Sequence, residues 1–425
     1  MQGNKIKILH LSRSFSNISG AALIANNTYR LFNNDEFESE VFSQASDNDD
    51  EFRYREYFVK SNYTGTSLDK FLYFYNWTGK KNIEPVLDDF KPDIIHIHDM
   101  STTYMSWFVL KPCLKRNIPT VMTLHDCSFI CPCVTFTHGN GKKCKKILCK
   151  GYNKVYCMLY RCFSNNIFLS SAMSLLSFIP QLAGFDKAIS MYITPSEALK
   201  KLIAEKHNHI TADKIVTINN YLVNDEIKNT QPNYNNNGYF LYIGRLDITV
   251  KGLDTLLQAM KDLPGDINLR IIGKEEHKGQ EEILKQYAKE NHLDNVKFCG
   301  FKNRKEIKEE YQNCIASILP STAFESFGLT TIEAAINGKP SIASNIGGIP
   351  EIVEHNKTGL LFEPRNTEQL KECILTYWNN PDLVKEHGEN AYKKAIEKYT
   401  EERYYKETAN MYRMVLAKKK NYGKA

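Results

Sequence analysis

Long apolar segments are missing from this sequence of 425 residues. Its N-terminus passes directly into the strand-like KIKILHLS, without the apolar core and cleavage site of a signal peptide. The most apolar stretch, NNIFLSSAMSLLSFIPQLAGF, is interrupted by Ser, Asn, Gln and Pro180, so its apolar run is too short to span a bilayer. No fixed-period repeat is visible, which excludes a solenoid. We expect a cytoplasmic chain, with a peripheral position on the cytoplasmic membrane face as an alternative.

A large charge excess is missing as well. Lys and Arg number 55 against 49 Asp and Glu, and the net charge of +6 is too mild for this length to indicate a nucleic-acid binder. No RNA- or DNA-binding motif accompanies the basic residues, so nucleic acid is excluded as a partner. The hydrophobic content of 42% is that of an ordinary globular protein, and the length fits two or three domains.

Acidic residues are absent from one long segment, Cys127 to Phe185. Seven basic residues lie in it: Lys142, Lys143, Lys145, Lys146, Lys150, Lys154 and Arg161. A basic loop beside an apolar stretch is typical of a protein that touches an anionic membrane surface. A solvated basic loop beside a packed helix is the alternative, and both interpretations stay open.

The same segment contains seven of the eleven cysteines, at positions 127, 131, 133, 144, 149, 157 and 162. A cytoplasmic chain keeps its thiols reduced. Packing, metal ligation or a chemical role is therefore favoured over disulfide formation as the interpretation of these cysteines. The spacings do not form a regular pair of C-x-x-C motifs. Whether the cluster holds a structural metal or consists of thiols in a loop insertion stays open.

Short runs rich in Ile, Val and Tyr alternate with amphipathic segments throughout, which indicates the α/β class with parallel sheets. The predicted strands are Ile6–Leu11, Ser39–Ser43, Ile94–His98, Thr120–His125, Lys187–Thr194, Tyr239–Gly244, Asn268–Gly273, Val296–Gly300, Ile315–Pro320 and Ser341–Ser344. The fold that we predict is two facing, doubly wound, Rossmann-like domains. Ligands of such folds bind at the carboxyl ends of the strands, here in the cleft between the domains.

The boundaries of these domains follow from composition. Residues 1–223 form the first domain, and the polar, aperiodic segment 224–238, with four Asn near its end, is the predicted linker. Residues 239–398 form the second domain. A strongly helical segment, 399–425, closes the chain, and we expect it to pack back on the first domain.

The most informative segment is STAFESFGLTTIEAAINGKPSIASNIGGIPEIV, from Ser321 to Val353. A buried-type strand ends before it, and Ser326 is predicted to cap a following helix. The backbone N–H groups of Ser326, Phe327 and Gly328 would then form a phosphate site at the amino end of that helix. Glu325 and Glu333 lie about two helical turns apart, so both carboxylates could hydrogen-bond the hydroxyl groups of one elongated ligand. Solvated surface carboxylates are the alternative.

These residues resemble a known family. ESFGLTTIE followed by GKPSIASNIGGIPEIV looks like the Glu-x7-Glu signature of the retaining glycosyltransferases of family 4, which have the GT-B fold. GRLDITVKGLDTLL, ITPSEALKK and NKTGLLFEPRNTEQL also fit the family pattern, so the resemblance covers essentially the whole chain. It is strongest from residue 187 to 380.

The resemblance implies roles for particular residues. Arg245 and Lys251 match the basic pair that holds the donor diphosphate, and two fixed cations can stabilise the charge of that leaving group. His125 matches a histidine that faces the donor sugar. Gly20 stands where the family has two adjacent glycines against the diphosphate, but here its neighbour is Ser19, which weakens this contact. HIHD, at the end of a third strand, fits a structural or acceptor-side role.

We predict that the transfer needs no metal, because two cations can stabilise the leaving group in its place. No Asp-x-Asp pair stands at a strand end, and the run from Asp47 to Asp50 lies in a polar loop. We expect no required cofactor, no metal ligand and a UDP- or GDP-sugar as donor. Because no residue suggests itself as a glycosyl nucleophile, front-face substitution is the mechanism that we favour.

The expected function is that of a retaining, hexosyltransferase-type enzyme in cell-surface polysaccharide assembly. It would move a sugar from a nucleotide-diphosphate-sugar to a saccharide or lipid-linked saccharide. The alternative is a catalytically silent homologue that binds or stabilises another glycosyltransferase. Glu325, Glu333, Arg245 and Lys251 are all present, which argues against that alternative.

Overall fold

A computed structural model describes most of the chain. The described residues are 5–15, 20–43, 52–58, 78–98, 109–131, 133–136, 138, 144, 149–150, 153–163, 165–178, 185–223, 227, 230–234, 238–275 and 278–422. Ser19, the loop from Asp47 to Asp50, Lys142 to Lys146 except Cys144, and most of the predicted linker lie outside them.

The chain divides into two compact units. One consists of Met1–Asn219 together with Tyr404–Ala425, and the other of Asn220–Arg403. Each unit contains one six-stranded parallel sheet. The α/β class and the two Rossmann-like domains predicted from the sequence are confirmed.

The sheet of the first unit has the strand order β2-β1-β3-β4-β5-β6. Its strands are β1 (Ile6–Ser12), β2 (Phe37–Ser43), β3 (Ile94–Ile97), β4 (Thr120–Thr123), β5 (Ile189–Thr194) and β6 (Ile215–Thr217). β3 and β4 are buried along their whole length, as expected of strands covered on both faces by helices. The order reverses between β1 and β3, because the chain runs outward to β2 before it returns.

The sheet of the second unit has the order β12-β11-β10-β7-β8-β9. Its strands are β7 (Tyr239–Ile243), β8 (Leu269–Ile272), β9 (Val296–Phe298), β10 (Cys314–Leu319), β11 (Ser341–Ser344) and β12 (Gly359–Phe362). The order reverses between β7 and β10. In an open α/β sheet, ligands bind outside the carboxyl ends of the strands at such a reversal.

Helices connect the strands and cover the sheets. In the first unit they are α1 (Gly20–Leu31), α2 (Thr78–Phe90), α3 (Leu110–Lys115), α4 (Val155–Leu159), α5 (Ile167–Leu176), α6 (Phe185–Ala188) and α7 (Glu197–Lys206). In the second they are α8 (Leu253–Lys261), α9 (Gln280–Glu290), α10 (Arg304–Asn313), α11 (Leu329–Ile336), α12 (Ile349–Ile352), α13 (Thr367–Asn379) and α14 (Pro381–Lys398). The last helix is α15 (Glu401–Tyr422). Within the described residues, every helix is too short or too polar for a bilayer-spanning segment.

The structure corrects several predicted elements. Lys187 belongs to helix α6 and the strand begins at Ile189, while His98 and His125 lie after their strands instead of within them. Two further strands, β6 and β12, were not predicted. Both lie at an edge of their sheet.

Candidate active site

A lysine and a glutamate meet at the strand-order reversal of the second unit. Lys251 lies in the loop that follows β7, and Glu325 lies in the loop that follows β10. The Lys251 ammonium forms a salt bridge with Oε1 of Glu325, and Ser321 Oγ donates to the same oxygen at 2.6 Å. The side chains are 21% and 18% exposed, so the pair is only partly open to solvent. The sequence predicted both residues as site residues, and the structure brings them into contact.

The electrostatics of this pair favour an ionised carboxylate. Burial alone would raise the pKa of Glu325, but the Lys251 ammonium, the hydrogen bond from Ser321 and the Arg245 charge together hold it below its ordinary value of 4.5. Arg245 itself is exposed. The site therefore presents one carboxylate and two cations at the carboxyl end of the sheet, as needed to bind hydroxyl and phosphate groups.

The loop that carries Arg245 and Lys251 is held in place by hydrogen bonds between side chains and its backbone. Tyr242, buried in β7, donates from its hydroxyl to the carbonyl of Arg245 at 2.6 Å. Asp247 Oδ1 accepts from the Val250 N–H at 2.9 Å, which closes a turn. Thr322 Oγ1 donates to the Thr249 carbonyl, and this bond ties the loop to the segment that precedes Glu325.

The backbone of Glu325 is held by a third segment. The N–H of Gly348 donates to the Glu325 carbonyl at 2.8 Å. The neighbouring Gly347 has φ +60°, and a Cβ atom there would lie 2.1 Å from the same carbonyl oxygen. Only glycine allows this approach. The sequence had indicated SNIGGIP as part of the family pattern, but the contact of its glycines with Glu325 was not predicted.

The helix after Glu325 begins later than predicted. Ser326 was expected to cap it, but α11 begins at Leu329, and its N-cap is Gly328 at φ +118°. The reason is Phe327, which is buried and packs edge-on against Tyr399, with ring centroids 5.7 Å apart. The chain has to turn sharply after inserting this ring, and a glycine makes that turn. The phosphate site at Ser326, Phe327 and Gly328 stays a prediction.

Glu333, the second carboxylate of the motif, lies in the middle of α11. Its Oε2 accepts from the Tyr311 hydroxyl at 3.1 Å, and the same hydroxyl lies 3.2 Å from the Thr330 carbonyl. Burial raises the pKa of Tyr311, and the Glu333 charge raises it further. Tyr311 therefore stays a hydrogen-bond donor and orients the Glu333 carboxylate. The sequence did not single out this tyrosine.

Three buried histidines lie where the strand order reverses in the first unit. His10 in β1 and His96 and His98 at β3 place their ring nitrogens within 4.8 Å of one another. His10 Nδ1 lies 3.0 Å from His98 Nε2, and His10 Nε2 lies 3.3 Å from Ser39 Oγ. Burial lowers the pKa of His10 to about 3, so its ring is neutral at physiological pH.

The hydrogen bonds determine which nitrogens carry protons. Ser39 Oγ donates to the Phe32 carbonyl at 2.8 Å, so it accepts from Nε2 of His10. His10 Nδ1 then accepts from Nε2 of His98, which leaves the His98 Nδ1 lone pair without a partner. His96 is engaged by Tyr412 and Thr123 at 2.5 and 2.8 Å. A metal would have to break these bonds, so the group fits a hydrogen-bond relay better than a metal site.

His125, a predicted catalytic residue, lies two positions after β4. Its ring stacks on that of His98 at a centroid distance of 6.0 Å. Burial lowers the pKa of His125 to about 4, with Asp126 acting in the opposite direction. Its Nε2 is buried without a hydrogen bond, as is Nδ1 of His98. A buried unpaired polar atom costs about 1–3 kcal/mol, and a hydrogen bond to either nitrogen would remove that cost. Gly20, the other site residue predicted in this unit, is the exposed first residue of α1.

Four of the seven clustered cysteines form a chain of hydrogen-bonded thiols, which we call the cysteine chain. Hydrogen bonds join Cys131 to Cys133, Cys133 to Cys157, and Cys157 to Cys162. His138 Nδ1 lies 4.0 Å from the Cys162 sulfur. Among the described residues, the three histidines are the only group of three ligand atoms within 4.8 Å. All cysteines that the structure describes are free thiols.

Two family models match this chain. One, described as Glycosyltransferase Family 4, matches residues 18–222, and the other, described as Glycosyl transferases group 1, matches residues 223–394. Together they cover most of the chain and both of its sheets. The chain belongs to the family 4 glycosyltransferases.

Individual proteins agree with this family. An uncharacterised glycosyltransferase of Methanocaldococcus jannaschii is 32% identical over 203 residues, which are 44% of this chain and 55% of that protein. The chain thus spans about half the length of this relative. An uncharacterised 41.2 kDa protein in the cps region of Klebsiella pneumoniae is 25% identical over 92% of this chain and 96% of its own.

A solved structure shows the same fold. Anabaena HepE in complex with UDP and glucose superposes with a TM-score of 0.64 at 19% identity, over 96% of this chain and 99% of HepE. At this identity the likeness concerns the fold alone. The GT-B architecture expected from the sequence is confirmed.

Proposed function

We propose that the protein is a retaining glycosyltransferase of polysaccharide assembly. It would transfer a hexose from a nucleotide-diphosphate-sugar to a saccharide or a lipid-linked saccharide. The observation that carries the proposal is the Glu325 carboxylate, held ionised by Lys251 and Ser321 at the strand-order reversal of the second unit. The family membership and the Klebsiella relative from a cps region support it.

Each predicted site residue of the second unit has a role in this proposal. Lys251 and Arg245 bind the donor diphosphate and stabilise the charge that develops on it as it leaves. Glu325 accepts hydrogen bonds from sugar hydroxyls, and its salt bridge fixes Lys251 before the donor arrives. Glu333, oriented by Tyr311, accepts from ribose hydroxyls. Ser326, Phe327 and Gly328 contribute backbone N–H groups to a phosphate.

The first unit contributes the remaining proposed contacts. His125 offers its unpaired Nε2 to a hydroxyl of the donor sugar, and Gly20 lets the backbone approach the diphosphate. His98 belongs to the HIHD segment, for which the sequence predicted a structural or acceptor-side role, and it offers an unprotonated Nδ1 as an acceptor for a sugar hydroxyl. Because burial keeps His98 and His125 neutral, neither repels a cation nor attracts the diphosphate by charge.

The proposed reaction is a front-face substitution without a metal. The bond between the anomeric carbon and the leaving phosphate oxygen breaks, and the acceptor oxygen bonds to that carbon from the same face. The acceptor proton passes to the leaving phosphate. Retention is read from the anomeric configuration of the product by NMR, and metal independence from full activity in excess chelator.

The donor is proposed to be a UDP- or GDP-sugar. HepE binds UDP and glucose, which makes UDP-glucose the first donor to test. A screen would measure nucleotide release from UDP- and GDP-sugars without an acceptor. We expect slow hydrolysis of at least one donor. A silent homologue would bind UDP or GDP in a thermal-shift assay but release no nucleotide from any donor.

The test of the site uses two matched lysine variants. Lys251→Ala removes the partner of Glu325 and is expected to lower kcat/KM by about 100- to 1,000-fold. Lys302→Ala removes one of two cationic partners of Glu310, which keeps Arg270 and lies at the opposite, amino-terminal edge of the sheet beside Tyr239. We expect it to change kcat/KM by less than about twofold. Equal losses in both variants would show that Lys251 acts only through stability.

Glu325→Gln completes the test, because it keeps the size of the side chain and removes its charge. Turnover should fall by about 100-fold or more while thermal unfolding shows a folded protein. Near wild-type turnover would refute the assignment of Glu325.

A further inference from the structure

Helix α5 buries polar side chains and exposes apolar ones. Ser170 and Ser174, one turn apart, are buried, whereas Phe168 is 83% and Leu175 71% exposed. Hydrogen bonds hold this orientation: the Phe163 N–H donates to Ser170 Oγ at 3.0 Å, and Ser174 Oγ donates to the Lys154 carbonyl. A surface helix of a globular protein normally buries its apolar face. The reversed orientation of α5 therefore indicates that its exposed apolar side chains form a binding surface.

The neighbouring helix α4 extends the same surface. It packs against α5, and it buries Cys157. Of the twelve large apolar side chains that the described part of the chain leaves exposed, eight lie on these two helices or next to them. We name this surface the apolar outer face; its residues are Val155, Tyr156, Leu159, Tyr160, Ile167, Phe168, Leu169 and Leu175.

The interior beneath this face is polar. The Lys154 side chain is buried, and its ammonium donates to the carbonyl of Phe129 at 2.8 Å and to that of Ile130. Thiols of the cysteine chain and the two serines lie in the same interior. Hydrogen bonds therefore hold α4 and α5 on their inner side, and the apolar side chains of the outer face stay exposed.

Charge indicates what that partner is. The segment from Cys127 to Phe185 contains no acidic residue and seven basic ones, and two of them, Lys150 and Arg161, are exposed next to α4. Aromatic and aliphatic side chains beside a basic rim fit the interface of an anionic bilayer, where the rings enter the headgroup region and the cations meet lipid phosphates. A second copy of the chain would bring two basic rims together, and their repulsion opposes such a dimer.

We propose that the apolar outer face docks this protein onto an anionic lipid bilayer, with α4 and α5 lying in the plane of the interface. Helices of five and ten residues cannot cross a bilayer, so contact is restricted to one leaflet. The proposal is independent of the transfer reaction, since it is measured without donor or acceptor. It would place a lipid-linked acceptor within reach of the enzyme.

The test is vesicle flotation of the full-length chain. Vesicles of phosphatidylcholine alone are compared with vesicles that contain about 30% phosphatidylglycerol. We expect binding to the anionic vesicles, weakened by salt. The double variant Phe168→Ser and Leu175→Ser should bind at least about tenfold more weakly. The double variant Lys150→Gln and Arg161→Gln should weaken binding to anionic vesicles by about tenfold and leave binding to neutral ones unchanged.

The matched control lies in the other unit. Ile283 and Phe301 are 60% and 70% exposed, so Ile283→Ser with Phe301→Ser removes a similar apolar area elsewhere. This control should bind anionic vesicles like the wild type. Phe168→Trp adds a direct readout, because an inserted indole shifts its emission to the blue on binding vesicles.

Three results would overturn the proposal. The first is a wild-type chain that does not float with anionic vesicles. The second is equal binding by the wild type and by the Phe168→Ser and Leu175→Ser variant. The third is a dimer in light scattering that this variant abolishes while vesicle binding is absent, which would assign the face to a second copy. Nucleotide release from the donor in the same variant shows separately whether the proposed function holds.

Discussion

At the scale of single residues, Glu325 is the point where three distant segments meet. Lys251 contacts its carboxylate from the loop after β7, Ser321 from the end of β10, and Gly348 holds its backbone from the loop after β11. The position of the carboxylate therefore depends on backbone geometry as much as on its charged partner. Two substitutions separate these contributions.

Gly347→Ala tests the backbone contribution. The new Cβ would lie 2.1 Å from the Glu325 carbonyl oxygen, in a left-handed conformation at φ +60° that alanine disfavours. We expect a loss of about 1–3 kcal/mol in stability and a lower kcat/KM, because the Glu325 backbone must move. Gly265→Ala is the control: a Cβ there meets nothing within 4 Å, and unfolding and kinetics should match the wild type. Unchanged turnover in Gly347→Ala would show that the site tolerates the shift.

Lys251→Met tests the charge contribution through pH. In the wild type the pKa of Glu325 lies below its ordinary 4.5, so the ionised carboxylate stabilises the fold above that pH and loses this effect as pH falls through its folded pKa. Without Lys251 burial dominates and raises the pKa, so the sign reverses and stability falls as pH rises above about 4.5.

The measurement for this prediction is thermal unfolding of both proteins from pH 4 to 7. The loss of stability of Lys251→Met relative to the wild type should grow with pH to about 1–3 kcal/mol. The double variant Lys251→Met with Glu325→Gln has no buried carboxyl at this position and should show no such growth. A loss of stability that does not change with pH would contradict the role of Lys251 in keeping Glu325 ionised.

At the scale of elements, one buried lysine attaches helix α14 to the end of α12. The Lys394 ammonium lies 2.6 Å from Glu354 Oε1 and 2.8 Å from the Glu351 carbonyl. The Tyr399 hydroxyl reaches the same carbonyl at 3.2 Å. α12 follows Gly347 and Gly348 directly, so this attachment supports the segment that holds Glu325.

Lys394→Met is expected to destabilise the second unit by about 1–3 kcal/mol, because the Glu351 carbonyl and the Glu354 carboxylate lose the Lys394 ammonium as a hydrogen-bond donor. Lys357→Ala removes the other cation of Glu354, but that lysine is 65% exposed and the loss should stay below about 1 kcal/mol. Hydrogen bonds from Lys357 and Lys394 lower the pKa of Glu354 to about 2. Stability from this carboxylate is therefore present above pH 4.5 and lost toward pH 2.

Urea unfolding of both variants at pH 7 and pH 3 measures these effects. The difference between Lys394→Met and the wild type should be smaller at pH 3 than at pH 7. A larger effect for Lys357→Ala than for Lys394→Met would show that burial does not decide the strength of this contact.

At the scale of the whole molecule, the chain returns to its first unit at the end. Helix α15 packs on α1 and β2 through aromatic rings, with Phe32 and Tyr412 centroids 5.1 Å apart. Tyr404 bonds Thr28 at 3.0 Å, and Arg413 binds both carboxylate oxygens of Glu36. The first unit is thus built from both ends of the sequence, with the second inserted between them.

Among the contacts of α15, we expect those of Tyr412 to contribute most to the stability of the first unit. Its buried hydroxyl bonds His96 at 2.5 Å, so Tyr412→Phe should cost about 1–3 kcal/mol by leaving that nitrogen unpaired. Tyr412→Ala also removes the ring and should cost about 3–5 kcal/mol. Arg413→Ala, on the exposed side of the same helix, should cost less than about 1 kcal/mol. Circular dichroism melting tests this order, and equal effects of Arg413→Ala and Tyr412→Ala would contradict it.

Much of the fold was predictable because it rests on local pattern. Of the twelve strands in the described parts of the chain, ten were predicted within about two residues of each end, since buried parallel strands are short apolar runs between turn residues. The misses have physical causes. β6 and β12 are identified by their pairing with β5 and β11, which becomes visible only in the folded sheet. The cap at Ser326 was displaced because Phe327 had to enter the core.

Apolar periodicity and motif spacing are properties of neighbouring residues, so the α/β class, the family and the residue types of the site could be predicted from the sequence. Which of these residues meet depends on how the strands pair. Lys251 and Glu325 are 74 positions apart, and the contact depends on β7 and β10 being adjacent in the sheet. The same holds for α5: its composition shows an apolar helix, but the hydrogen bonds of Ser170 and Ser174 turn its apolar face outward.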